Sequence, residues 1–173
     1  MASILVTYAS RYGSTREVAE EVAKRLRQHG QAVDVRTVDE VDSLDGFDAV
    51  VLGSGLYVGG MLKDAYRFLK RHQSTLETLP VAVFVLGPLT ADQVREDHHK
   101  QLDDAIAKMG WLKPVAAEEF VGKYDPAHLR FTDKLTAVLP VSPLYHETAH
   151  DERDWAVIDG WADHLPDELH VGA

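Results

Sequence analysis

The residues best equipped for chemistry follow directly on the first apolar run. Ile4-Leu5-Val6-Thr7-Tyr8-Ala9 leads into Ser10-Arg11-Tyr12-Gly13-Ser14-Thr15, then Arg16-Glu17. Ser10, Ser14 and Thr15 offer hydroxyls, Gly13 offers backbone freedom, and Arg11 and Arg16 stand nearby. Such short donors can converge on one small anion. A helix opening at this point would add its unpaired N–H groups and the positive end of its dipole. Ser14 and Glu17 have the spacing of a capping box. The chemistry this predicts is the seating of a single phosphate. It is not that of a nucleoside-triphosphate loop, because the Gly-Lys-Ser/Thr ending is missing.

Two further stretches could complete a site. Gly53-Ser54-Gly55-Leu56-Tyr57-Val58-Gly59-Gly60 is dense in glycine and carries one planar ring, Tyr57. Glycines let backbone approach a flat ligand, and the ring can lie against it. The glycine spacing is one place off a dinucleotide fingerprint, and the stretch follows the third strand instead of the first. Leu86-Gly87-Pro88-Leu89-Thr90 forms a third loop after another apolar run.

The elements that must position these loops read as strands alternating with helices. Ile4–Tyr8 is a predicted first strand. The helix after it, Thr15 to about His29, carries Val18, Val22 and Leu26 at four-residue steps and stops at Gly30. Ala32–Val38 reads as a half-exposed edge strand. Asp39–Asp45 reads as a solvated loop or short helical turn. Ala49–Leu52 and Val81–Leu86 are continuously apolar, as strands buried on both faces are. Helices are expected over about Leu62–His72 and Asp92–Met109, and a last strand over Val115–Val121. The segment 122–152 is weakly patterned: Leu129, Phe131, Leu135 and Val138 suit an amphipathic helix, and Pro140 and Pro143 then force extended chain. A final helix is expected from about Asp154 to Leu165, burying Trp155, Ile158 and Trp161/Ala162. This alternation predicts an α/β fold, a doubly wound parallel sheet of five strands in the order 2-1-3-4-5. In such sheets the ligand lies beyond the carboxyl ends of the strands, where all three loops emerge.

Composition narrows the partners. At 173 residues the chain is expected to form one domain, residues 1–173. Its formal net charge of −10 disfavours nucleic acid and anionic membrane surfaces. The lack of cysteine excludes disulfides, thiolate nucleophiles and cysteine-ligated clusters, so redox activity would need a bound cofactor. The longest apolar runs fall well short of a membrane span of about 20 residues, and the N-terminus has no secretory pattern. The cytoplasm is the expected compartment.

Other constellations compete less well. His146-Glu147-Thr148-Ala149-His150 matches the zinc-hydrolase pattern H-E-x-x-H, but Pro143 and the charged Asp151-Glu152-Arg153-Asp154 deny it an apolar helix face. No metal site is expected there. His98-His99 reads as a solvated helix face, and Trp111, Trp155 and Trp161 as core or helix anchors.

Over nearly its whole length the chain resembles the flavodoxin-like family. Ser10-Arg11-Tyr12-Gly13-Ser14-Thr15 is similar to that family's phosphate loop. Ser54-Gly55-Leu56-Tyr57-Val58-Gly59 is similar to its second loop, and Leu86-Gly87-Pro88-Leu89-Thr90 falls at its third. The resemblance implies FMN as cofactor, with the isoalloxazine against backbone and the Tyr57 ring. It implies electron transfer or flavin-dependent oxidoreduction with a redox partner protein or a small-molecule electron donor or acceptor. Within the family the chain is most similar to menaquinone-dependent protoporphyrinogen dehydrogenases, through its short second loop, the long 122–152 segment and the Asp154-Trp155 helix opening. It departs from them in that this segment is acidic instead of basic, which argues against membrane association. No catalytic residue carries over. A flavin or deazaflavin carrier without turnover is the alternative. A receiver-type signalling domain shares the topology but needs acidic residues where Ser10, Arg11 and Ser54 stand.

Overall fold

A computed structural model describes residues 1–57, 60–87, 100–124 and 149–171. Its parallel strands are β1 (Ser3–Ala9), β2 (Ala32–Thr37), β3 (Ala49–Tyr57), β5 (Val81–Leu86) and β6 (Ala116–Phe120), and a short β4 (Gly60–Met61) folds back antiparallel on β3. The order is β2-β1-β3-β5-β6. Counting parallel strands alone, this is the expected 2-1-3-4-5.

The sheet separates two apolar layers, because successive side chains on a strand point to opposite faces. Ile4, Val6, Val51, Ala82 and Phe84 face α1 (Ser14–Gln28) and α5 (Trp155–Glu168). Leu5, Val50, Leu52, Val83 and Val85 face α2 (Lys63–Arg71), the short α3 (Gln73–Leu76) and α4 (Lys100–Ala107). Both faces of the central strands are covered, which is why β1, β3 and β5 read as unbroken apolar runs. Edge strand β2 is only half buried, as its interrupted pattern indicates.

Local signals set most boundaries. Gly30, at φ +83°, stops α1 where a residue with a Cβ would be strained. Thr37 and Glu40 form a capping box around a single 3-10 turn, Val38–Glu40, within the segment expected to be loop or turn. Asp154 caps α5 by accepting the N–H groups of Ala156 and Val157 at 3.0 and 3.2 Å.

Three expectations are corrected. Strand β3 does not end at Leu52 but runs through Gly53-Ser54-Gly55 to Tyr57 and turns into β4. Its glycines are packing positions: a Cβ on Gly53 would overlap Phe84 Cζ and lie 2.8 Å from Cε1 and Cε2, and one on Gly55 would lie 2.9 Å from the Tyr57 ring. The Ser14/Glu17 capping box does not form; Gly13 is the N-cap, at φ +88°, with no side-chain cap. Trp155 belongs to no buried stripe. As the first residue of α5 it is 38% exposed, while Ile158, Ala162 and Leu165 carry the burial.

The ends of the 122–152 segment meet in a small antiparallel pair, β7 (Lys123–Tyr124) with β8 (His150–Asp151). The expected amphipathic helix through Leu129, Phe131, Leu135 and Val138 lies outside the described residues, as do Pro140, Pro143 and His98-His99. So do Val58, Gly59, Pro88, Leu89, Thr90, His146 and Glu147.

Candidate functional site at the carboxyl ends of the strands

The register brings the three loops together. Ala9 of β1 lies beside Ser54 of β3, Ser54 beside Val85 of β5, and Gly55 beside Leu86. Neighbouring strands are about 4.8 Å apart, so the chain leaves β1, β3 and β5 side by side within about 10 Å.

The first loop is wound tightly onto the start of α1. The Gly13 N–H donates to Ser10 Oγ at 2.9 Å, and the Gly13 carbonyl accepts the Glu17 N–H at 3.0 Å. Gly13 needs its positive φ to make this turn. Without a side-chain cap, the first N–H groups of α1 keep their capacity to bind an anion. Thr15 is buried in that first turn. Arg16 is turned along α1 onto Glu20, at 2.8 Å, and does not join the loop.

Arg11 reaches across to the second stretch: its guanidinium carbon lies 5.0 Å from the centroid of the Tyr57 ring. That distance is within cation–π range. Tyr57 is 40% exposed, with its ring folded toward Gly55. Two other described second-loop side chains, Ser54 and Leu56, point elsewhere. Ser54 is fully buried, its hydroxyl donating to the Gly55 carbonyl at 2.9 Å and accepting the Leu62 N–H at 3.1 Å. It ties the turn from β4 into α2. Leu56 packs onto the α2 side of the core. In the third loop Leu86 is buried, and the Gly87 N–H extends the ladder by donating to the Phe120 carbonyl at 3.0 Å. Ser54, Leu56 and Leu86 therefore offer the site backbone only.

Sequence reasoning missed the floor of the first loop. Arg153, whose side chain is only 2% exposed, lies behind the first turn of α1. It pairs with Glu17 at 2.7 Å and with both carboxylate oxygens of Asp151, at 2.8 and 2.6 Å, and its Nη1 donates to the Ser14 carbonyl at 3.4 Å. Lys123 adds a weaker approach to Glu17 at 3.8 Å. Burial alone would lower the Arg153 pKa, but the bonds it donates to the Asp151 and Glu17 carboxylates outweigh it and the pKa is raised. The Asp151 carboxyl is held below its usual range, chiefly by its bond from Arg153. The only trace in the sequence is the charged run ahead of the last helix.

Among the described residues no group of three or more His, Asp or Glu could hold a metal ion. His150 lies in strand β8, not on the helix that H-E-x-x-H requires. Nor, among those residues, is any helix long and apolar enough to cross a membrane.

A doubly wound parallel sheet with its loops gathered at the β1/β3 switch defines the class of α/β proteins that bind ligands at the sheet's carboxyl end. The chain belongs to the flavodoxin domain family, whose model matches residues 5–151. Over 82 residues it is 29% identical to a protoporphyrinogen IX dehydrogenase [quinone] of Escherichia coli, a match covering 46% of this chain and 45% of that protein. Over 91 residues it is 34% identical to an NAD(P)H dehydrogenase (quinone) of Nitrobacter winogradskyi, covering 40% of this chain and 46% of that one. Each match thus spans somewhat less than half of the relative. Among solved structures, a Streptococcus pneumoniae flavodoxin superposes with a TM-score of 0.56 at 19% identity, covering 97% of this chain and all of that one. The rubredoxin oxygen:oxidoreductase of Desulfovibrio gigas superposes with a TM-score of 0.56 at 14% identity, covering 98% of this chain and 36% of that one. These two likenesses concern the fold alone.

Proposed function

We propose that the chain binds FMN at the carboxyl end of its sheet and serves as a cytoplasmic electron-transfer or oxidoreductase module. The observation that carries this reading is the Arg11–Tyr57 contact, which joins the uncapped first loop to the exposed ring of the second. The residues fit the group. Ser10, Arg11, Tyr12, Gly13, Ser14 and Thr15 would hold the phosphate. Backbone of Ser54, Gly55, Leu56, Tyr57, Val58 and Gly59, with the Tyr57 ring, would hold the flat heterocycle, flanked by Leu86, Gly87, Pro88, Leu89 and Thr90. A bound flavin supplies the redox chemistry. The protein's part is to place and shield it: the α1 N-terminus meets the phosphate charge, and the 40% exposed Tyr57 ring gives a planar surface at the rim.

The names of the two curated relatives favour a quinone as electron acceptor. The net charge of −10 favours one reached in solution or through a partner protein over one in an anionic membrane. The purified chain is expected to quench FMN fluorescence at one equivalent. Reduced and mixed with a soluble quinone, the holoprotein is expected to be reoxidised faster than free reduced FMN. A chain that takes up no FMN on titration refutes the cofactor. A holoprotein that binds FMN but neither accepts nor donates electrons is a carrier instead.

A further inference from the structure

The cluster around Arg153 is the most elaborate polar construction among the described residues outside the loops themselves. We infer that Arg153 is the positioning residue of the phosphate seat: it neutralises Glu17 in the first turn of α1 and fastens that turn to the β7–β8 pair. The inference rests on the FMN reading above.

The physical case begins with Glu17. A carboxylate in the first turn of a helix is favoured by the dipole. That positive end is also what a phosphate would use, so Glu17 and a bound phosphate compete for one field and repel each other. The repulsion is removed when a cation takes the carboxylate from behind. Arg153 does so at 2.7 Å, and Lys123 approaches the other oxygen at 3.8 Å. Both cations come from the chain around β7 and β8, and the Nη1 bond to the Ser14 carbonyl reaches the backbone of the seat itself. The guanidinium is fixed on every side: Asp151 holds it bidentately, and the Trp155 ring lies 4.8 Å from its centre. A lysine could not reproduce that fork. The exposed Trp155 thereby acquires a role, as the outer wall of the arginine.

The test compares two ligands that share a ring system and differ by the phosphate. Dissociation constants for FMN and riboflavin are measured by fluorescence on the full chain at one fixed ionic strength. Arg153→Met is expected to weaken FMN about tenfold and riboflavin less than about twofold, since only the former meets the exposed charge of Glu17. The double variant Arg153→Met/Glu17→Gln is expected to regain most of the lost FMN affinity. Glu17→Gln alone removes one carboxylate partner of the buried Arg153 and leaves its two bonds to Asp151, so the melting temperature of this variant is measured beside the affinities. The variant is expected to tighten FMN by a few-fold and leave riboflavin unmoved. Equal losses for both ligands, no recovery in the double variant, or weaker FMN binding by Glu17→Gln would each overturn the inference while leaving the FMN reading intact. A wild-type chain that binds neither ligand overturns both.

Discussion

Gly53→Ala is the substitution whose cost the structure fixes most tightly. Gly53 and Phe84 are cross-strand partners on β3 and β5, so their side-chain positions share one face. The Phe84 ring lies over Gly53, and an added Cβ would overlap Cζ and sit 2.8 Å from Cε1 and from Cε2. Ordinary contact starts at 3.4 Å and Cζ is the nearest of the three atoms, so the ring would have to retreat by well over 0.6 Å. It has little room: Phe84 is fully buried, with Phe120 and Trp161 centroids 6.0 and 5.9 Å away. Overpacking of this kind costs about 1–3 kcal/mol, and loss of glycine entropy in the unfolded chain returns about 0.4–1 kcal/mol. The expected net loss is about 1–2 kcal/mol, or roughly 2–8 °C in Tm for a chain of this size. Urea unfolding followed by circular dichroism reads it as a lower midpoint with an unchanged slope. Phe84→Leu removes the obstructing ring, so the double variant should be less destabilised than the sum of the singles by at least about 0.5 kcal/mol. A Gly53→Ala protein as stable as wild type, or additive behaviour with Phe84→Leu, would refute the steric account.

Gly13→Ala has no steric obstacle, since nothing lies within 4 Å of the added Cβ, but it must hold φ +88°. It should cost about 1 kcal/mol, and Gly13→Asn clearly less, because asparagine tolerates left-handed backbone; equal urea midpoints for the two variants would contradict this. The Asp163 carboxyl is held down at about 2 by its bonds from Arg25 and then His29. Its folded pKa lies below the unfolded value, so the stability it adds is present above about pH 4 and lost as pH falls toward 2. The urea-midpoint gap between wild type and Asp163→Asn should therefore close over that window, and it should be small because the pair is partly exposed. His72 is buried against Phe68 and Val41, and burial lowers its pKa. The unfolded chain then takes up a proton that the folded one refuses. Stability should fall as pH drops below about 6.5, and His72→Gln should flatten that slope. Thermal melts between pH 7.5 and 5.5 would show it.

The strands were legible wherever one physical demand acted alone. Ile4–Tyr8, Ala49–Leu52 and Val81–Leu86 are largely apolar because both sheet faces are covered, which marks them as central strands, and their alternation with helices gave the order. Reading failed where one residue answered two demands. The glycines after Leu52 look like a loop, because glycine is the usual turn residue. Gly53 and Gly55 instead keep a strand clear for the Phe84 and Tyr57 rings. Ser14 and Glu17 spell a capping box, but the Glu17 carboxylate is taken by Arg153, whose bond to the Ser14 carbonyl spans 139 positions. No local pattern encodes a partner so distant. Trp155 reads as core by type and spacing, yet it is placed by the Asp154 cap and by Arg153, both at the helix end.

The distribution of charge around the first loop explains how so acidic a chain could seat a phosphate. Among the described residues four cations lie near it, and each is engaged. Arg16 is committed to Glu20 along the outer face of α1. Lys123 and Arg153 face Glu17 and Asp151, two cations against two carboxylates, so the floor is close to neutral. Arg11 lies over the Tyr57 ring, where its charge bears on the rim of the site. The helix terminus itself offers uncharged donors, the backbone N–H groups of the first turn of α1, which has no side-chain cap. Neutral donors at a helix terminus hold an anion by geometry and dipole instead of by net charge. Affinity of that kind depends on the exact placement of the turn, which makes a buried arginine behind it more consequential than an exposed one in front.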